Sequence, residues 1–412
     1  MIRRRADLRI STFSPLTSLL LVALIVAITV PPVCGAQDVP APRVVDLKAA
    51  DGTNLKATYF AAGKPGPGVL LLHQCNAQRK VWNGLATSLA AAGINVLTFD
   101  FRGFGESDGK NVDQFTAQEA LDSVNKIMPS DADVAFAYLE SQPGVTREVM
   151  GAGGASCGVN QAVQLARRHP EVKSLVLLSE GTNPEGRKFL RASPNLPLFL
   201  AAASDDPDPG VVEIIEWLAG LSPDPANKLV TYPTGLHGYQ MFDAHKELPG
   251  MIVDWYLTTL KTSPGATTAA DPTATRARVS GEVHFLELTD EPDGGNKVRE
   301  MYKEAVRNNT YTDLFSEALL NRLGYEHLQQ QGDVKGAITL FEINVMRYPN
   351  SANVYDSLGD AYMADGQKEL ARQNSKKALE LLSKDTSINP ALRDGIKTSA
   401  EQKLKALGDT AK

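Results

Sequence analysis

The feature that most limits the fold is a repeated alternation of short, mostly apolar segments with segments of helical spacing. Apolar runs lie at Val69–Leu72, Val96–Phe99, Val149–Gly153, Leu175–Leu178, Leu198–Ala202 and Leu229–Tyr232. Between them Val81/Leu85/Leu89, Val134/Tyr138 and Val159/Ala162/Val163/Ala166 each recur at helical spacing. Strands that are apolar at successive positions are buried on both faces, and strands joined through helices run parallel. The sequence therefore predicts an α/β fold built on a doubly wound, mostly parallel sheet. Ahead of it, Arg43 to Phe60 alternates around Asp51-Gly52, a hairpin signal. A last helix, about His245–Leu260, closes the unit.

The chain of 412 residues is too long for one compact domain of this kind. Residues 261–280 are rich in Thr, Ala and Pro without apolar period, which predicts a linker, carried to residue 295. Beyond it, residues 296–412 are all helical in pattern and repeat themselves. Asn321-Arg-Leu-Gly-Tyr-Glu-His-Leu set beside Tyr355-Asp-Ser-Leu-Gly-Asp-Ala-Tyr gives a 34-residue period. Under it Leu328 meets Tyr362, Gly332 meets Gly366, Ala337 meets Ala371, and Phe341 meets Ser375 less well. This resembles the tetratricopeptide repeat, a small all-α repeat domain, and implies a protein partner bound through residues 296–412. An unrelated pair of helical hairpins is the alternative.

The N-terminus reads as an address. Met1-Ile-Arg-Arg-Arg precedes an uncharged apolar run of 15 residues from Leu16 to Val30; Pro31 and Pro32 follow, then Cys34-Gly35-Ala36 as a cleavage site. The run is short for a membrane span of roughly 20 residues. Residues 1–36 are expected to be a cleaved signal peptide, placing the protein outside the cytoplasm (periplasmic or secreted); membrane attachment is expected only if this segment stays on. It carries Arg3, Arg4, Arg5 and Arg9 against Asp7, so removing it takes the net charge from −6 to −9. An acidic body of this kind argues against nucleic acid as a partner.

The residues that carry chemistry begin at Gly154-Ala155-Ser156-Cys157-Gly158, between an apolar strand and an amphipathic helix. The pattern is that of a G-x-S-x-G nucleophile elbow. A sharp strand-to-helix turn lifts a serine hydroxyl above the sheet, and side chains two positions before and after it would strike the neighbouring strand and helix. A dinucleotide loop starting at Gly151 and Gly153 would need glycine at position 156, which is Ser156.

Together with Asp100-Phe-Arg-Gly-Phe-Gly-Glu-Ser107 after the second central strand and Leu72-His73-Gln74-Cys75-Asn76 after the first, residues 43–260 resemble the α/β-hydrolases, in particular dienelactone-hydrolase-like and serine-aminopeptidase-like enzymes. The resemblance implies Ser156 as nucleophile and His237, in His237-Gly238 after the last strand, as its base. It also implies an acid after the strand Leu198–Ala202, where Asp205 is preferred and Asp206 is the alternate, with Asp208 a turn residue. The chain order Ser, Asp, His is that of this fold. The oxyanion N–H groups are expected from Cys157 and from Cys75, with Gln74 the alternate because it stands where the family usually has glycine. Arg102 and His73 are expected to fix loops. No metal and no cofactor are called for.

Only about 18 polar residues separate Ser179 from Pro197, where the family commonly inserts a lid, so an open site without a helical lid is expected. Such a site suits a small-molecule ester with a small or exposed acyl group, cleaved through an acyl-enzyme. A peptidase on the same fold, or an envelope scaffold acting through its helices, are the competing functions. Cys75 and Cys157 both fall on loops expected at the oxyanion site; two free thiols are expected, with a disulfide as the alternative.

Overall fold

A computed structural model describes residues 39–412 except 223, 264, 266–280, 292, 310–315, 385–387 and 410–412. The expected signal peptide, residues 1–36, and most of the Thr/Ala/Pro stretch lie outside the described residues. Eight strands form one sheet: β1 (Arg43–Lys48), β2 (Asn54–Phe60), β3 (Gly66–Leu72), β4 (Asn95–Phe99), β5 (Val145–Ala155), β6 (Val172–Leu178), β7 (Leu198–Ala203) and β8 (Lys228–Tyr232). Their order is β1-β2-β4-β3-β5-β6-β7-β8. The hairpin β1–β2 is antiparallel with Arg43 opposite Tyr59, and β2 meets β4 antiparallel. Every other neighbouring pair is parallel.

The apolar runs explain the layering. Along β3, Leu70 and Leu72 enter the hydrophobic core on one face while Val69 and Leu71 enter that on the other. Both sets are fully buried. Helices α1 (Asn83–Ala91), α2 (Ala117–Asp122), α3 (Met128–Glu140), α4 (Cys157–Arg168), α5 (Pro184–Arg191), α6 (Val211–Leu221), α7 (Met241–Ala244) and α8 (Leu248–Thr262) connect the strands or close the body. Residues from α1 and α8 line one core, and residues from α3, α4 and α6 the other.

The C-terminal part, among the described residues, is seven helices: α9 (Gly281–Thr289), α10 (Gly294–Arg307), α11 (Glu317–Tyr325), α12 (Val334–Arg347), α13 (Ala352–Ala364), α14 (Lys368–Lys384) and α15 (Pro390–Ala406). Residues 281–289, inside the expected linker, are thus helical, and Phe285 and Leu286 are buried. The core on the α3/α4/α6 face runs without a break into Phe285, Val298, Leu319, Leu320, Leu323 and Leu340. Val39–Lys412 is accordingly one compact unit. The physical reason is apolar continuity: α9 to α12 bury their faces on the sheet-covering helices rather than only on each other.

Candidate functional site

Three of the parallel strands, β5, β7 and β8, end on one side of the sheet, the side on which open α/β folds place their ligands. β5 runs into Ser156, whose backbone (φ 51°, ψ −129°) is a conformation an L-residue holds only under constraint. The constraint is close packing. A Cβ on Gly154 would lie 2.1 Å from the Gly158 carbonyl oxygen, and one on Gly158 would lie 2.4 Å from that of Leu72. Only glycine at both positions lets the elbow close against the end of β3.

β8 leads to His237. Its Nδ1 lies 2.9 and 2.8 Å from the two carboxylate oxygens of Asp206, whose side chain is 2% exposed. The sequence preference for Asp205 is therefore corrected: the carboxylate on the imidazole is that of Asp206. Asp205 instead accepts a hydrogen bond from the Leu236 N–H at 2.9 Å and so pins the left-handed residue (φ 59°) that precedes His237. Two adjacent acids hold one histidine, one by its ring and one by its backbone. Burial lowers the His237 pKa, but the Asp206 hydrogen bond and the charges of Asp206, Glu180 and Asp208 outweigh it and raise the pKa above the ordinary histidine value.

Gln74 joins the histidine loop to the loop after β3. Its side-chain oxygen accepts from the Tyr239 N–H at 3.2 Å and lies where a Cβ of Gly238 would be, 2.2 Å away. Gly238 also runs close to Ala155, with 3.3 Å between an added Cβ and the Ala155 methyl, which brings His237-Gly238 beside the elbow. The departure from glycine at position 74 thus has a structural use. His73 is fully buried, with Nδ1 2.8 Å from the Gln74 carbonyl and Nε2 accepting from the Phe101 N–H at 3.1 Å. Arg102 pairs with Asp131 and Asp51. Both act as loop joints.

Cys75 and Cys157 are joined in a disulfide, Cα to Cα 5.8 Å, which corrects the expectation of two free thiols. The spacing of the two loops, set by the close approach of Gly158 to β3, already brings the cysteines within bonding reach. With a sequence separation of 82, the bond restrains the unfolded chain by roughly 4.5 kcal/mol. The backbone N–H groups of Cys157 and Cys75 make no hydrogen bond among the described residues. For Cys157 this follows from its place at the start of α4.

A cavity of about 410 Å³ opens beside Cys157. One wall is the loop after β6 with Trp217 of α6; the opposite wall is supplied by the C-terminal helices through Arg322, Tyr325 and Gln329. Arg322 pairs with Glu180 and, at 2.8 Å, with Asp208. Arg187 pairs with Asp290 and, at 2.8 Å, with Glu326. The sequence leads to no helical lid in the segment after β6, and the far wall of this cavity is built elsewhere in the chain. The segment Ser179–Pro197 holds only the short helix α5, but the cover comes from α11 and the turn after it, well over a hundred residues downstream. Glu180, Arg322 and Arg187 were not singled out in the sequence; nothing local marks residues that pair across such a separation.

Residues 63–204 match the family model described as "Serine aminopeptidase, S33". An uncharacterized protein of Mycobacterium tuberculosis is 29% identical over 236 residues, 52% of this chain and 79% of that protein. Thiohydrolase aneE of Aspergillus aculeatus is 26% identical over 191 residues, covering 43% of this chain and 57% of its own length. Among solved structures, the Pyrococcus furiosus esterase Pf2001 matches 55% of this chain and 94% of that one at 19% identity and a TM-score of 0.41. A dienelactone hydrolase from Anabaena variabilis covers 53% and 97%, at 20% identity and a TM-score of 0.41. The sheet order, the strand–elbow–helix at Ser156 and the matched segment together make this chain an α/β-hydrolase by fold.

Proposed function

We propose that the protein is a serine hydrolase that cleaves a carboxylic ester through Ser156, His237 and Asp206. The observation that carries this is the pairing of a strained serine at a strand–helix elbow with a carboxylate-bound histidine at the same end of the sheet. In the reaction, His237 Nε2 takes the Ser156 hydroxyl proton as Oγ attacks the acyl carbon, and Asp206 holds the ring and stabilises its cation. The N–H groups of Cys157 and Cys75 receive the oxyanion, each such donor contributing about 10²–10³-fold in rate. The carbonyl re-forms, the alcohol leaves with the proton from His237, and water attacks the acyl-enzyme by the same route. A thioester is the second substrate class, since the Aspergillus relative is a thiohydrolase.

The family description brings in an aminopeptidase as a rival. Such an enzyme needs an unpaired acid to hold the substrate ammonium. Glu180, Asp208 and Glu326 border the cavity, but each is already ion-paired to Arg322 or Arg187. The ester reading is therefore preferred. The protein's proposed place is outside the cytoplasm, which agrees with a disulfide at the site.

The four helices α11–α14 are proposed to be two tetratricopeptide-like repeats with a protein partner. In support, the equivalent Gly332 and Gly366 are both left-handed, at φ 69° and 74°, and the equivalent Ala337 and Ala371 are both fully buried.

A fluorophosphonate that acylates active serines tests the enzyme assignment. Wild type should label at one site per chain and Ser156→Ala should not, with ester turnover falling about 10⁴-fold or more. Unlabelled wild type would leave the fold acting as a scaffold.

A further inference from the structure

We propose that the cavity between the elbow and the C-terminal helices binds one part of the ester, and that this part is a neutral, hydroxyl-rich group such as a monosaccharide rather than an alkyl chain. The proposal rests on the serine-hydrolase reading and names its substrate. Its volume of about 410 Å³ lies at the small end of the range for ligand pockets. The cavity begins at Cys157, next in chain to the attacking serine, so a group bound there lies beside the reacting centre.

Charge decides against ionic ligands. Its two arginines are each bound to two carboxylates, Arg322 to Glu180 and Asp208, and Arg187 to Asp290 and Glu326. An anionic or cationic substrate would have to break one of these pairs, leaving a half-buried charge unmatched. Hydrogen-bonding capacity decides against an alkyl chain. The indole N–H of Trp217, a residue 3% exposed, has no acceptor, and such a buried donor calls for an oxygen. The carboxamides of Asn125, Gln329 and Gln330 border the same space as exposed groups at its rim, with no protein hydrogen bond among the described residues. A carboxamide both donates and accepts, as a hydroxyl does, so a hydroxyl-rich group can replace the water on these amides, whereas an aliphatic chain would displace that water and leave the indole N–H without an acceptor.

Backbone geometry points to the same place. Two π-turns occur among the described residues, Ser123–Ile127 and Glu326–Gln331, and both contribute to this one cavity. π-turns are rare and recur at functional sites because the extra residue turns side chains off the ordinary helical track. One comes from the hydrolase body and the other from the C-terminal helices, so the cavity is complete only when both are in place.

The test uses the full-length protein, with active sites counted by fluorophosphonate, and measures kcat/KM for a monoacetylated methyl glucoside and for p-nitrophenyl octanoate. Wild type should favour the sugar ester. In Gln329→Leu/Gln330→Leu the ratio of sugar ester to octanoate should fall about tenfold or more through KM, and in Trp217→Phe by a smaller factor. A wild type that prefers octanoate, or a ratio that neither variant moves, overturns the inference while labelling at Ser156 keeps the hydrolase reading intact. Wild type that neither labels nor turns over any ester removes both.

Discussion

The helices that follow the sheet divide into two regions that differ in what they pack against. In the proximal region, α9 to α12, Phe285, Val298, Leu319, Leu320, Leu323 and Leu340 belong to the same core as β3 and α4. In the distal region, α13 to α15, Ala352, Ala378, Leu382, Ile396 and Ala400 form a cluster with no member from the sheet, and a second cluster of Leu358, Ala361, Tyr362 and Ala371 joins these helices to Ala337, Ile338 and Phe341 of α12. Polar contacts such as Tyr362–Glu342 and Lys335–Asp365 join the two regions, but two cationic nodes differ in reach. Arg322 reaches into the hydrolase body to Glu180 and Asp208, whereas Lys403 bridges Asp356 and Asp360 wholly within the distal helices. One run of similar helices is therefore graded: its first half packs into the core of the sheet domain, and its second half reaches that core only through α12.

The largest effect expected of this division is on truncation. Ending the chain before Gly281 uncovers the apolar face of α6 and its neighbours, and the product should be insoluble or unlabelled by fluorophosphonate. Ending it after Pro349 should leave labelling at Ser156 in place. If the shorter product labels as well as the full chain, the proximal helices are an appendage and the comparison breaks.

Single residues sharpen it. Leu320→Ala removes a fully buried side chain from the shared core and should destabilise the whole protein by about 2–5 kcal/mol, seen as earlier thermal loss of ester hydrolysis. Ile396→Ala, from an equally buried position in the distal cluster, should lower the helical melting signal without moving the inactivation temperature.

The arginine and lysine nodes give the smallest and most specific contrast. Arg322→Ala should lower kcat/KM by about tenfold, since it frees the loop carrying Asp206 through Asp208. It should also move the acid limb of the pH–rate profile. His237 must be neutral to act as base, and its pKa is already raised by the Asp206 hydrogen bond and by the charges of Asp206, Glu180 and Asp208. Removing the cation that offsets Glu180 and Asp208 strengthens that negative field, so the limb shifts further toward higher pH. Lys403→Ala should leave both rate and limb unchanged. An equal effect of the two substitutions would erase the distinction.

The same contrast explains what could be read from the sequence. The parallel sheet was legible because β3, β6 and β7 are apolar at consecutive positions and β4 is so but for Thr98. Ser156 and His237 were legible because each follows a strand in a short motif. Asp205 and Asp206 were not separable, because adjacent residues share one spacing and only the turn decides which carboxylate reaches the ring. The disulfide between Cys75 and Cys157 depends on how closely two loops approach, which composition does not carry. The cover over the cavity was sought after β6, where the segment is short; it comes instead from α11, and no periodicity links Glu180 to Arg322.

The turn Glu326–Gln331 has a consequence for how such a wall can change. A π-turn is an ordinary helix holding one residue more than its hydrogen-bond ladder needs. Deleting a single codon there would restore the regular ladder and turn the residues between the deletion and the cap at Gly332 by about 100° about the helix axis. Gln329 and Gln330 would swing away from the opening while Ser156 and its partners stayed untouched, so the lineage can exchange one clientele of molecules for another without altering the apparatus that cuts them.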